Sequence, residues 1–215
     1  MRVYYRLMDL LFPPKCILCG NLLTKAETDL CGKCRVDALE YPVRKTKPQF
    51  LDSFAAVWYY EESVRGSLLR FKFRGARSYA AAYGRFVAMK LLQTHPEGFD
   101  VLTWIPVSPL RKLRRGYDQV ELIAWAVGRE LDMTPVSTLK KIRHNRPQSG
   151  IAEAEKRRAN VLGAYRATCP EQLAGKRVLL LDDILTTGAT MSEAARVLKT
   201  AGAKEVHGAA VAARK

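Results

Sequence analysis

Val-Leu-Leu-Leu-Asp-Asp-Ile-Leu-Thr-Thr-Gly-Ala-Thr, residues 178–190, is the stretch on which the fold turns. An unbroken apolar run ends in two adjacent acids, a turn of hydroxyls and glycine follows, and a helical pattern then begins. Val178–Leu181 has no polar alternation, so it reads as a strand buried on both faces of a parallel sheet. Ligands of such sheets sit beyond the carboxyl ends of the strands, where Asp182 and Asp183 are expected. The turn Thr186–Thr190 precedes a helix expected from about Met191 to Ala201. The first amides of a helix lack internal partners and lie at the positive end of its dipole, which suits a phosphate. Gly188 and Ala189 are small enough for the backbone to approach an anion, and Thr186, Thr187 and Thr190 offer hydroxyl donors. Two carboxylates facing a phosphate would repel it. They make chemical sense as acceptors for neighbouring sugar hydroxyls. The plainer alternative is a capped strand–turn–helix with two solvated acids.

Working outward, strands alternate with helices. Strands are expected at Ser53–Tyr60, Val101–Ile105, Thr134–Thr138, Val161–Tyr165, Arg177–Leu181 and Glu205–Ala212. Helices are expected at Glu61–Phe73, Ala76–Thr94 and Tyr117–Leu131. This alternation predicts an α/β fold, a mainly parallel sheet with helices on both faces. Lys140–Asn160 has few apolar residues and reads as a long loop with a helical tip around Ala152–Arg158. Tyr79, Tyr83, Trp104 and Trp125 are expected in the core.

Four of the five cysteines form two pairs, Cys16-Ile-Leu-Cys19 and Cys31-Gly-Lys-Cys34, with eleven residues between them. That is the spacing of a tetrahedral thiolate zinc site with no open position, hence structural. Gly20, directly after Cys19, and Gly32, directly after Cys31, permit tight turns beside the ligands. Disulfides, a redox pair or an iron–sulfur cluster are the competing readings. The absence of secretory features favours thiols in a reducing compartment. A segment this short needs metal to fold; it is either a nucleic-acid or protein contact or a structural appendage. Cys169 reads as an incidental thiol.

The 215 residues suffice for one α/β domain plus the small metal module. Domain boundaries are expected at 1–48 (N-terminal helix, four-cysteine zinc ribbon, linker) and 49–215. No apolar run approaches the ~20 residues of a membrane helix. Met1–Phe12 is too short and too charged for a secretory signal and reads as an amphipathic helix on the body, so the cytoplasm is the expected compartment. Thirty-six basic against 21 acidic residues give a net charge of +15, which favours polyanionic partners, single-stranded DNA among them. A merely basic surface is the alternative. Clusters fall at Arg111–Arg115, Lys140–Arg146 and Lys156–Arg158.

Two loops carry candidate chemistry. Val107–Gln119 starts at a strand end stopped by Pro106 and concentrates positive charge, which can neutralise a leaving pyrophosphate. Arg115 is the strongest candidate there, ahead of Arg111 and Lys112. Lys140–Asn160, with Arg143, Arg146, Gln148, Arg157 and Asn160, reads as a mobile flap or a disordered basic loop.

Residues 178–190 resemble the motif of type I phosphoribosyltransferases that binds phosphoribosyl pyrophosphate (PRPP). The resemblance implies that Asp182 and Asp183 hold the ribose hydroxyls and that Thr186, Thr187, Gly188, Ala189 and Thr190 cradle the 5′-phosphate. It also implies magnesium carried on the pyrophosphate and ribose oxygens, without a protein cage. Taken with the cysteine pairs, Phe71-Lys72-Phe73-Arg74-Gly75, Ile105-Pro106-Val107, Arg115-Gly116-Tyr117-Asp118-Gln119 and Arg146-Pro147-Gln148, the chain resembles the ComF family of bacteria (ComFC and GntX-like proteins). Tyr117 and Asp118 stand where that family commonly has phenylalanine and asparagine. The resemblance implies a zinc ribbon joined to a phosphoribosyltransferase-like domain and a role in DNA uptake and natural transformation. Three functions are compatible: a transferase with an undefined acceptor, a DNA-binding factor with a regulatory PRPP site, and an adaptor that docks an uptake helicase or competence protein.

Overall fold

In chain order the strands are β1 (Ser53–Tyr59), β2 (Val101–Trp104), β3 (Leu139–Lys141), β4 (Tyr165–Ala167), β5 (Arg177–Leu185) and β6 (Glu205–Ala213). The helices are α1 (Gly32–Asp37), α2 (Glu62–Phe73), α3 (Tyr79–Thr94), α4 (Pro109–Arg115), α5 (Gln119–Leu131) and α6 (Ala189–Thr200), with a 3-10 turn at Pro170–Gln172. The computed structural model describes residues 13–43, 46–143 and 161–215. The helix expected at Met1–Phe12 and the tip expected at Ala152–Arg158 lie outside the described residues, as do Arg146, Gln148, Arg157 and Asn160.

β1, β6, β5 and β2 form one parallel sheet in that spatial order, and β3 and β4 form a separate antiparallel pair. Val178, Leu179, Leu180 and Leu181 are fully buried, each contributing roughly 1.5–3 kcal/mol relative to exposure. Their alternation divides the core. Leu179 and Leu181 face a layer made by α2, α3 and α5, with Leu68, Phe71, Tyr83, Val87 and Ile123. Val178 and Leu180 face α6, with Met191, Ala194, Ala195 and Leu198. The sheet is therefore covered on both faces, as expected.

Several expectations are corrected. Thr134–Thr138 forms no strand. Only Val136 donates a backbone bond to β2, at Leu102 O, because Pro135 has no N–H to extend a ladder. The strand forms instead at Leu139–Lys141, outside the main sheet. Val161–Tyr165 turns at Gly163 (φ 68°), so the strand there starts at Tyr165. Ser78 precedes a helix that begins at Tyr79 rather than Ala76. The basic loop contains the unforeseen α4: Ser108 Oγ caps Arg111 N–H, Pro109 opens the helix, and Gly116 closes it at φ 77°. Trp125 is 47% exposed rather than a core residue, whereas Tyr83 and Trp104 are buried. Tyr79 is half-buried, its ring 6.3 Å from that of Tyr83.

At the N-terminal end of the sheet, Ser53 Oγ lies 2.6 Å from His95 Nε2 and 2.8 Å from His207 Nδ1. Ser53 and His207 are register partners on β1 and β6, so this chain fastens the β1–β6 seam to the end of α3.

α3 and α5 approach closely at Gly84. A Cβ placed there would lie 2.4 Å from Ala126 Cβ and 2.7 Å from its carbonyl carbon. Gly84→Ala must part the helices and is expected to cost about 1–3 kcal/mol, read as a lower urea midpoint. An unchanged midpoint would show that the two helices are not held at this distance.

Candidate functional site

β5 outruns its neighbour. β2 stops opposite Leu181 and the chain turns away at Pro106, whereas β5 stays paired to β6 as far as Leu185. Asp182 and Asp183 thus lie inside the strand rather than beyond it, with β2 withdrawn from their side. A strand sends successive side chains to opposite faces, so the two carboxylates flank the same backbone.

Asp183 is 5% exposed and held from two helices. Lys72 Nζ at the end of α2 lies 2.9 Å from its carboxylate, and Gln119 Nε2 at the start of α5 donates at 3.0 Å. Gln119 Oε1 in turn accepts from Arg115 Nη1 at 2.7 Å. Arg115 stacks over Phe73, its Cζ 4.8 Å from the ring centre, and burial lowers its pKa from the usual guanidinium value.

Residues 115–119 each have a task in this arrangement. Gly116 takes the left-handed conformation that ends α4. Tyr117 is buried, donates its hydroxyl to Phe71 O, and lies beneath Arg77, whose Cζ is 4.5 Å from the ring centre. Asp118 caps α5 through Val120 and Glu121 N–H, and its other oxygen accepts from Val107 N–H at 3.0 Å. It thereby closes the segment carrying α4 into a loop. Burial raises the Asp118 pKa even though three backbone donors oppose the shift.

Asp182 lies on the α6 face of the strand, with the β3–β4 pair beside it. Its Oδ1 accepts from Asp183 N–H at 2.8 Å. Burial, then the charge of Asp183, pushes its pKa up to about 8. Lys141 of β3, itself lowered by burial and then by the charge of Arg111, sits 5.3 Å over the Tyr165 ring.

The turn after the acids brings together the sequence-predicted phosphate loop. Thr186 and Thr187 are exposed, Gly188 adopts φ 74°, and α6 begins at Ala189 without a capping side chain at Gly188. Thr187 Oγ1 is only 3.5 Å from Ala189 N. The residues exposed at the start of α6 are therefore Thr186 and Thr187, whereas Gly188 and Ala189 are buried. Pro48 backs the turn: a Cβ on Gly188 would lie 3.1 Å from Pro48 Cγ.

On the Asp183 side an open cleft of about 690 Å³ is lined by Lys72, Arg77, Arg111, Arg114 and Arg115, with Tyr60 and Phe73 among its walls. Arg111 and Arg115 thus join the cleft, while Lys112 turns to Glu121 at 2.8 Å. Arg146 lies outside the described residues. None of Gln119, Arg114 and Lys72 carries an expected role of its own in the sequence. The signal for Gln119 was a polar side chain in the first turn of a helix whose periodicity buries that position.

The four cysteine sulfurs all lie within 4.8 Å of one another, and Cys19 and Cys31 Sγ are 3.7 Å apart. Sulfurs on a tetrahedral zinc, with Zn–S about 2.3 Å, would be roughly 3.8 Å apart, so the donor set fits a structural zinc. Among the described residues this is the one such cluster, and no helix among them is long and apolar enough to cross a membrane.

Two expected outcomes follow from this geometry. Zinc analysis should give about one ion per chain, and a strong chelator should lower the melting temperature; a metal-free chain with unchanged melting would contradict the site. Asp182 is raised in the fold, so the folded state binds more protons than the unfolded state between the ordinary carboxylate pKa and about pH 8. Its contribution to stability must fall as pH rises through that window. Asp182→Asn should flatten this descent and be the more stable protein at pH 8, measured by denaturation against pH; parallel curves would refute the raised pKa.

Residues 123–215 match the phosphoribosyl transferase domain family, and residues 7–44 match the double zinc ribbon domain. The chain is similar to competence protein F of Haemophilus influenzae, at 26% identity over 89% of this chain and 93% of that one. It is also similar to competence protein ComFC of Bacillus subtilis, at 28% identity over 93% and 85%. The DNA utilization protein YhgH of Escherichia coli matches at 25% identity over 89% and 86%. A double zinc ribbon match thus lies ahead of a phosphoribosyl transferase domain match, the arrangement that the resemblance to the ComF family implies.

Proposed function

We propose that this chain binds PRPP at the carboxyl end of the sheet and serves in DNA uptake and utilisation, contacting single-stranded DNA through the basic cleft. The observation that carries the reading is the meeting of the Asp182–Asp183 pair, the exposed Thr186–Thr187 turn before an uncapped α6 and, on the Asp183 side, a cation-lined cleft. The 5′-phosphate would sit on Thr186–Thr190 at the start of α6. Asp182 and Asp183 would accept from the ribose hydroxyls, and Arg115 and Arg111 would face the pyrophosphate. Magnesium travelling with the pyrophosphate would offset its charge. The outer cleft, with Arg77, Arg114 and the Phe73 and Tyr60 rings, has the two ingredients of single-strand binding, cations for phosphates and rings for bases. The names of the relatives support the biological setting. In that setting the chain works in the cytoplasm, beside uptake helicases or competence proteins.

If the site is catalytic, a nitrogen nucleophile bonds to ribose C1, the C1–O bond to pyrophosphate breaks with its electrons leaving on oxygen, and the acceptor nitrogen loses a proton. A second reading, a regulatory PRPP site without turnover, is favoured by one contact. Asp183 is already paired with Lys72, whereas Asp182 makes no direct ion pair among the described residues and feels Lys72 and Lys141 only at longer range.

Calorimetry with PRPP and magnesium, repeated with a single-stranded oligonucleotide present, tests the proposal. Saturable binding, abolished in an Asp182→Ala/Asp183→Ala variant that still binds DNA in a salt-dependent manner, is expected. Absence of heat with PRPP in the zinc-loaded wild-type chain would overturn it. Pyrophosphate release with an added base or DNA separates the catalytic reading from the regulatory one.

A further inference from the structure

We propose that the zinc ribbon is a positioning element of the ligand site, with Arg70 and Ser67 as the residues that transmit its geometry. The proposal rests on the PRPP reading above and adds a structural dependence to it.

Ile17 and Leu18 are the two residues between Cys16 and Cys19, so a metal held by those thiolates fixes their carbonyls. Both carbonyls are read by α2. Ser67 Oγ donates to Ile17 O and lies 2.6 Å from the buried Tyr83 hydroxyl. Arg70 Nη2 donates to Ile17 O at 3.1 Å and to Leu18 O at 2.6 Å. Arg70 Nε is buried with no acceptor, so burial works against this side chain and its terminal donors hold it against the knuckle. The Ile17 and Leu18 side chains, 5% and 1% exposed, enter the same apolar cluster as Leu68 and Phe71.

The next residues of α2 are the site itself. Phe71 O accepts from Tyr117, Lys72 meets Asp183, and Phe73 lies under Arg115. Four consecutive residues thus join the zinc knuckle to Tyr117, Asp183 and Arg115. A helix turns as a unit, so releasing Arg70 displaces Lys72 from Asp183. The ribbon has a second tether that bypasses α2: Arg85 of α3 pairs with Asp29 through bonds of 2.9 and 2.5 Å.

The test compares zinc-loaded full-length wild type, Arg70→Met and Arg85→Met by zinc content, melting temperature, hydrogen exchange at Phe71–Arg74, and calorimetry with PRPP and magnesium. Arg70→Met is expected to keep its zinc, to exchange faster at Phe71–Arg74, and to bind PRPP about tenfold more weakly, within the usual span of coupling between sites. Arg70→Lys, which restores one donor, should recover part of that loss. Arg85→Met should lower the melting temperature and leave exchange at Phe71–Arg74 and PRPP affinity unchanged. Should Arg70→Met fail to fold, Ser67→Ala supplies the same readouts with a smaller change. Lowered melting with wild-type exchange and affinity would reduce Arg70 to a structural prop and overturn the proposal. If the wild type binds no PRPP, the functional reading falls, while exchange at Phe71–Arg74 still decides whether the knuckle positions α2.

Discussion

A buried carboxylate is the constraint around which this molecule is arranged. Asp183 sits on the central strand among apolar side chains, where an unpaired charge is prohibitively costly. Lys72 and Gln119 answer it from two separate helices. That requirement fixes where α2 ends, where α5 begins, and how both dock on the sheet. Removing Lys72 would strand the charge, a loss that commonly reaches about 3–5 kcal/mol for one half of a buried ion pair. Stability and ligand chemistry therefore meet at one atom group.

The segment from Arg115 to Gln119 is the mechanical counterpart of that charge. A glycine ends one helix, a tyrosine anchors the turn to α2, an aspartate starts the next helix, and a glutamine reaches the buried acid. None of these four residues is interchangeable with its neighbour. Asp118 illustrates the point: both of its oxygens accept only from backbone N–H groups, a role for which a carboxylate has more capacity than an amide.

What was legible in the sequence was local. A four-residue apolar run, two adjacent acids, a threonine–glycine turn and two short cysteine pairs each declare their chemistry within a few residues. The contacts that build the site are not local: Lys72 is 111 residues from Asp183, and Gln119 is 64. No periodicity encodes such meetings, because they follow from strand order. Trp125 was misread for a related reason: its size suggested the core, but its place on α5 turns it outward. The missed α4 is a different kind of error, since Ser108, Pro109 and Gly116 carried the start and stop signals of a helix and the surrounding charge masked them.

Strand order has one more consequence. The first strand of the sheet lies beside the last, joined by parallel pairing from Ser53 to Ala213 and by the Ser53–His207 contact at its base. During synthesis β1 can bond to Leu39–Tyr41 just upstream, but its other edge stays open until β6 has emerged. Contacts of such long sequence separation form late and slowly. The nascent chain therefore carries one open, apolar strand edge until β6 appears, with the metal knuckle just upstream as the part able to acquire order early.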